Sequence, residues 1–120
     1  PLERVATLDD VRAWRAAAHA IHLDRKLKEY VVDRVAATRR PAEACPYVER
    51  GAGPRATLAI ANLARAKALL AGRDFVLPDD VRAVAAPALR HRVAFSYRVQ
   101  TENVDPEAVL RAIVTAVPAP

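Results

Sequence analysis

The stretch Gly51-Ala52-Gly53-Pro54-Arg55-Ala56 opens an alanine-rich run that closes at Ala71-Gly72, and its reading decides the fold. Two glycines and a proline deliver an arginine into the first turn of a helix. Pro54 suits the first helical position, where its missing N–H costs nothing and its fixed φ is already helical. Gly72 ends the same helix as a residue that takes positive φ without strain. Between them Ala56, Ala59, Leu63, Ala66 and Leu70 recur at spacings of three and four, which gives one apolar face. Small residues let neighbouring helices approach closely, so this third helix is expected at the centre of the molecule. Arg55 is awkwardly placed beside unsatisfied N–H groups at the positive end of the macrodipole, unfavourable by about 0.3–1 kcal/mol when exposed. A bound anion reverses that sign, because N–H groups, dipole and guanidinium then converge on it.

The rest of the composition agrees with a helical domain. At 120 residues the chain makes one domain with a modest core. Apolar residues reach 52% but aromatics only 5%, so alanine, valine and leucine must build that core. Such an interior points to an all-α bundle of about five helices with at most a short β-ribbon. The formal charge of +5 suits an anionic partner, yet arginine greatly outnumbers lysine, a bias that genomic composition produces unaided. Cys45 is alone, which excludes a disulfide framework and a cysteine metal cluster. No apolar run approaches the ~18 residues needed to span a membrane, and the N-terminus lacks a signal-peptide pattern, so the expected setting is cytoplasmic.

In chain order, residues 1–6 read as a linker and residues 7–120 as the domain. Thr7 caps a first helix with Asp9 and Asp10 in its opening turn and Val11, Trp14, Ala18 and Ile21 on one face, Trp14 being assigned to the core. His19 and His22 lie three apart but have no third ligand at a recognisable spacing, so no metal site is assigned. Asp24 opens a second helix whose stripe is Leu27, Tyr30, Val31 and Val35, and whose early cations Arg25, Lys26 and Lys28 read as solvated surface. That helix ends at Thr38-Arg39-Arg40 before Pro41, and 41–53 reads as loop. Pro78 opens a fourth helix, with Asp79 and Asp80 complementing its dipole and Pro87 interrupting it. Arg92 to Tyr97 reads as a strand able to pair with Phe75-Val76, and Asp105-Pro106-Glu107 starts a last helix carrying Val109, Ile113 and Val117.

The chain holds no catalytic apparatus of its own. There is no Gly-x-x-x-x-Gly-Lys-Ser/Thr phosphate loop and no dinucleotide fingerprint. Ser96 is the only serine and sits in no nucleophile elbow. No catalytic residue is assigned, and any part in catalysis is a residue or two lent to a site built elsewhere.

Four ordered pieces carry a resemblance: Gly51-Ala52-Gly53-Pro54-Arg55-Ala56, Ala66-Lys67-Ala68, Gly72-Arg73-Asp74-Phe75-Val76-Leu77-Pro78-Asp79-Asp80-Val81, and Leu89-Arg90-His91-Arg92. Together they resemble the C-terminal helical lid domain of MoxR-type AAA+ ATPases. Tyr30-Val31-Val32 with Ala37-Thr38-Arg39 is similar to that family's second lid helix, and Pro1-Leu2 to the linker leading into it. The resemblance implies an ATPase core upstream of Pro1, ATP and Mg2+ bound in the full-length protein, a ring oligomer, hexameric by expectation, and an unknown client. It implies no enzyme activity for the 120 residues alone. It further implies that Arg55, supported by Gly53 and Pro54, is the sensor 2 residue that reaches the γ-phosphate. The family usually has serine where this chain has Gly53, and glycine caps a helix nearly as well as threonine, so the expected cost is only a few tenths of a kcal/mol. Arg73, Asp74, His91 and Arg92 match family positions; Asp74, His91 and Arg92 read as structural, pairing across the ribbon, with an interface role in a ring oligomer as the alternative. The competing reading is an independent basic helical module that binds nucleic acid or a protein partner. The run from Phe75 to Val81 also resembles histone-type folds. Against nucleic acid stands the scatter of basic residues over several helices with no aromatic stacking platform.

Overall fold

The computed structural model describes residues 1–39 and 45–120, which form six helices and one two-stranded ribbon. The helices are α1 (Leu8–Ala20), α2 (Arg25–Ala37), α3 (Arg55–Leu70), α4 (Pro78–Leu89), α5 (Arg98–Thr101) and α6 (Pro106–Thr115). The strands β1 (Val48–Arg50) and β2 (Ala94–Phe95) pair antiparallel, Val48 opposite Phe95 and Arg50 opposite Ala94, with an irregularity between the two pairs. The helical class and the central third helix are as the sequence predicts: α3 packs on α1, α2 and α4, while α2, α4 and α6 close a second layer. The molecule is a slab of 47 × 42 × 20 Å, little thicker than two helices.

Helix starts follow local chemistry. The Thr7 side chain accepts from Asp10 N–H and the Asp10 carboxylate accepts from Thr7 N–H, a reciprocal cap. The Thr7 hydroxyl, which also donates to the Asp10 carboxylate at 2.7 Å, and after it the Thr7 N–H hold the Asp10 carboxyl below the usual carboxylate range. Asp24 and Asp105 cap α2 and α6 through Lys26 and Glu107 N–H.

The phase of the α3 face differs from the sequence reading. Ala56, Ile60, Ala64 and Ala68 are buried at strict four-residue spacing, whereas Leu63 is 44% and Leu70 89% exposed. The two faces are about one position apart, and the small residues occupy the inner row because three helices crowd it. Trp14 is likewise outside the core, 56% exposed, and α1 buries no residue at all, since its main packing partner is the flank of α3. In α2 the predicted stripe is buried, with Arg34 added to it. In α6 the core residues are Val109, Leu110 and Val114, so Leu110 and Val114 replace the predicted Ile113 and Val117.

The ribbon also has a different partner. Residues Val48–Arg50, within a predicted loop, supply the strand that pairs with Ala94–Phe95. Phe75 instead forms a parallel bridge to His22, where His22 N–H donates to Asp74 C=O and Val76 N–H to His22 C=O. Asp74 thus contributes backbone, and Arg92 Nε donates to the Ala88 carbonyl, so no Asp74–Arg92 pairing across a ribbon exists. After β2 the predicted strand gives way to the short α5. Pro87 does not interrupt α4, because it lies exposed in the last turn while Ala85, Ala86, Ala88 and Leu89 around it are buried. The predicted basic helix end at Arg40-Pro41 lies outside the described residues.

Asp80 does more than complement a dipole. It is 3% exposed, accepts two hydrogen bonds of 2.8 Å from Arg73, and accepts a third from Leu77 N–H. The Arg73 hydrogen bonds, seconded by Leu77, hold its carboxyl below the usual carboxylate range despite burial. Because folding lowers this pKa, the stabilisation is complete above the unfolded value of about 3.9 and is lost as pH falls through the folded one. Asp80→Asn keeps the Leu77 contact and is expected to cost about 1.5–3 kcal/mol at pH 7. Acid unfolding curves check it: the variant should lose less stability than wild type below pH ~4. The phase of α3 is tested by Ala64→Leu, expected to cost about 1–3 kcal/mol, against Leu70→Ala, expected within about 0.5 kcal/mol of wild type in urea unfolding.

Candidate nucleotide-sensing site

The start of α3 is pinned to the end of α2. Thr38, 2% exposed, donates its hydroxyl to Val35 C=O at 2.7 Å and accepts Ala52 N–H at 2.9 Å. Arg39 Nε donates to Ala52 C=O, so both polar groups of the fully buried Ala52 are satisfied by the two residues that follow α2. Gly51 is required there by contact: a Cβ would lie 2.2 Å from the Thr38 carbonyl oxygen. Around Gly53 a Cβ would meet nothing within 4 Å, so the family's serine would fit without displacing anything.

Pro54 has helical dihedrals (φ −58°, ψ −29°) and no side chain caps the helix, as the missing serine hydroxyl leads one to expect. The backbone donors are fewer than the sequence reading supposed. Ala56 and Thr57 N–H donate to Gly53 and Pro54 C=O, both at 3.0 Å, which tightens the first turn and leaves the Arg55 N–H over. Affinity for an anion at this end must therefore come mainly from guanidinium groups. Arg55 is exposed, and α3 has no acidic residue in its first turn, unlike α1, α4 and α6. None of the ion pairs among the described residues includes Arg55 or Arg39.

A shallow cavity of about 530 Å³ joins these parts, lined by Arg39 and Arg55 with Val32, Pro54 and Leu58 at its walls. Arg39 was missed in the sequence, where it reads as an ordinary cation at a helix C-terminus. Only its bond to Ala52, thirteen residues on, brings it beside Arg55. Two forked cations over a pinned helix end can grip a polyphosphate, and the lining holds no carboxylate, imidazole or thiol. Asp79 pairs with Arg82 on the surface, and His91 is exposed away from this cavity's lining. Among the described residues no group of three or more His, Cys, Asp or Glu could hold a metal ion, and no helix is long and apolar enough to cross a membrane.

The AAA lid domain family matches residues 40–113, and the chain belongs to that family. Within it the chain resembles the MoxR proteins. It is 38% identical to the chaperone MoxR1 of Mycobacterium tuberculosis over 88% of its own length and 29% of that protein's. It is 33% identical to the MoxR protein of Methylorubrum extorquens over 98% of its length and 36% of that protein's. The crystal structure of a Cytophaga hutchinsonii protein assigned as an ATPase superposes with a TM-score of 0.87 at 30% identity, covering 93% of this chain and 36% of that one. The chain thus spans about a third of the length of the relatives it matches.

The two glycines of the pinned loop should respond oppositely to an added side chain. Gly51→Ala is expected to cost about 1–3 kcal/mol, since backbone rather than a flexible side chain must give way. Gly53→Ser should gain a few tenths of a kcal/mol by supplying a cap hydroxyl. Thermal unfolding midpoints of the two variants read both effects.

Proposed function

We propose that this lid works on an ATP-hydrolysing AAA+ core outside the 120 residues, with Arg55 as the sensor 2 residue that reaches the γ-phosphate. The observation that carries the reading is the exposed Arg55 guanidinium, set on a pinned helix end without acidic neighbours and sharing its cavity with Arg39. Bound ATP brings a polyanion whose terminal phosphate is lost on hydrolysis. Arg55 attracts that charge, and the Thr38–Ala52 clamp converts its pull on α3 into a pull on α2 as well. The residues present fit this role: the sequence has no Gly-x-x-x-x-Gly-Lys-Ser/Thr phosphate loop, and among the described residues no group of three or more His, Cys, Asp or Glu could hold a metal ion. Mg2+ and the phosphate loop belong to the core. A ring oligomer, hexameric in form, acting as a chaperone on a client in the cytoplasm completes the reading. Its support is the likeness to MoxR proteins, one of them named a chaperone. An independent nucleic-acid module is the weaker reading, because the chain belongs to the AAA lid domain family and its basic residues are scattered over several helices.

In the full-length protein, Arg55→Ala should leave folding intact and lower ATP turnover by about tenfold or more, the size expected when one charge-assisted phosphate contact is lost. Steady-state hydrolysis at saturating ATP measures it, and unchanged kinetics would sink the sensor assignment. Arg39→Ala, one contact further out, should weaken nucleotide response less.

A further inference from the structure

A second cluster of arginines lies on another face, between α2, α4 and α6. A cavity of about 410 Å³ there is lined by Arg34, Arg82, Arg90 and Arg111, with Glu107 as its one carboxylate and Pro87 in its wall. Arg34 is 2% exposed. Its guanidinium stacks over the Tyr30 ring, 4.4 Å from the centroid, and donates to the Tyr30 hydroxyl, its one hydrogen-bond partner among the described residues. Its Nε is buried with no partner, and no ion pair among the described residues includes it. A buried guanidinium without a carboxylate is costly, and one aromatic face and one hydroxyl offset only part of that cost.

The other cations are held in place around it. Arg90 makes a two-pronged contact to Glu107, both bonds 3.1 Å, and Arg111 reaches the same carboxylate at 3.5 Å. Arg82 pairs with Asp79 at 2.7 Å. Four guanidinium groups therefore face two carboxylates, Asp79 and Glu107, which leaves a surplus of two positive charges around one concavity. The Tyr30 oxygen, and after it Asp79, raises the Arg82 pKa further. A single carboxylate would match half of the surplus, whereas a phosphate group carries about −1.5 to −2 at pH 7 and offers three acceptor oxygens. Arginine forks match its geometry.

We propose that the Arg34 cavity between α2, α4 and α6 binds a phosphate dianion, as the free ion or as a phosphate monoester. This site is separate from the Arg39–Arg55 cavity and does not depend on what Arg55 does.

The test titrates the chain with sodium phosphate, O-phosphoserine, sodium succinate and sodium chloride at matched ionic strength, following arginine Nε–H NMR signals. Phosphate should shift the Arg34 and Arg111 signals saturably. The double variant Arg90→Gln/Arg111→Gln removes two exposed cations, so its fold should persist, and should weaken phosphate binding about tenfold or more, roughly one lost charge-assisted contact. Arg55→Ala should leave the binding unchanged. Saturation by phosphate but not phosphoserine assigns the free ion, and saturation by both assigns a monoester. Equal shifts in phosphate and chloride would overturn the proposal. So would equal affinity for succinate, or full affinity in the double variant.

Discussion

The row Ala56, Ile60, Ala64 and Ala68 sets how closely everything else can approach. A helix that presents alanine at three of these four positions lets α1, α2 and α4 come in on three sides, with Ile60 the one large side chain at the centre of the row. The slab only 20 Å thick follows from that closeness. So does the outward displacement of larger residues: Leu58, Leu63 and Leu70 have no room inside and stand on the rim. Even Ala52, just before the helix, is 0% exposed, so the row extends into the loop that leads through Gly53 to Arg55.

Helix starts were legible because each rests on local chemistry. Thr7, Asp24, Pro54, Pro78 and Asp105 announce starts by what their side chains or rings do within three residues. The family motif around Arg55 was similarly compact. The choice between two helical faces was not local. For α3 the stripe through Leu63 and the row through Ala64 are equally periodic, and only the number of neighbours decides in favour of the smaller residues. Trp14 misled for the same reason: its helix packs mainly on one neighbour, so hydrophobicity alone could not bury it. Strand pairing depended on Val48–Arg50, three residues with no alternation long enough to register. Arg39 joined the site through a contact spanning thirteen residues, which spacing along one helix cannot reveal.

Charge in this chain divides by partnership. Arg12, Arg25, Arg82 and Arg98 find carboxylates three or four positions away on their own helices, contacts worth a few tenths of a kcal/mol each at an exposed surface. Such pairs tidy the surface without choosing a partner. Arg73 is different, since its bidentate contact to Asp80 fixes the turn between α3 and α4. Arg34, Arg39 and Arg55 have no carboxylate among the described residues, and they divide between two cavities on different faces. The excess positive charge is thereby concentrated where concave surface exists to use it.

The clamp between Thr38 and Ala52 has a mechanical consequence. It fixes one end of a rigid rod of sixteen residues, about 24 Å long at 1.5 Å per residue. A tilt of about 10° around that anchored end would carry Leu70 through about 4 Å, by the geometry of a straight helix of that length. The far end bears α1 along its flank and the exposed apolar side chains of Trp14 and Leu70. A fraction of an ångström at the arginine is thus a fulcrum displacement, magnified at a hydrophobic edge on the opposite side of the slab.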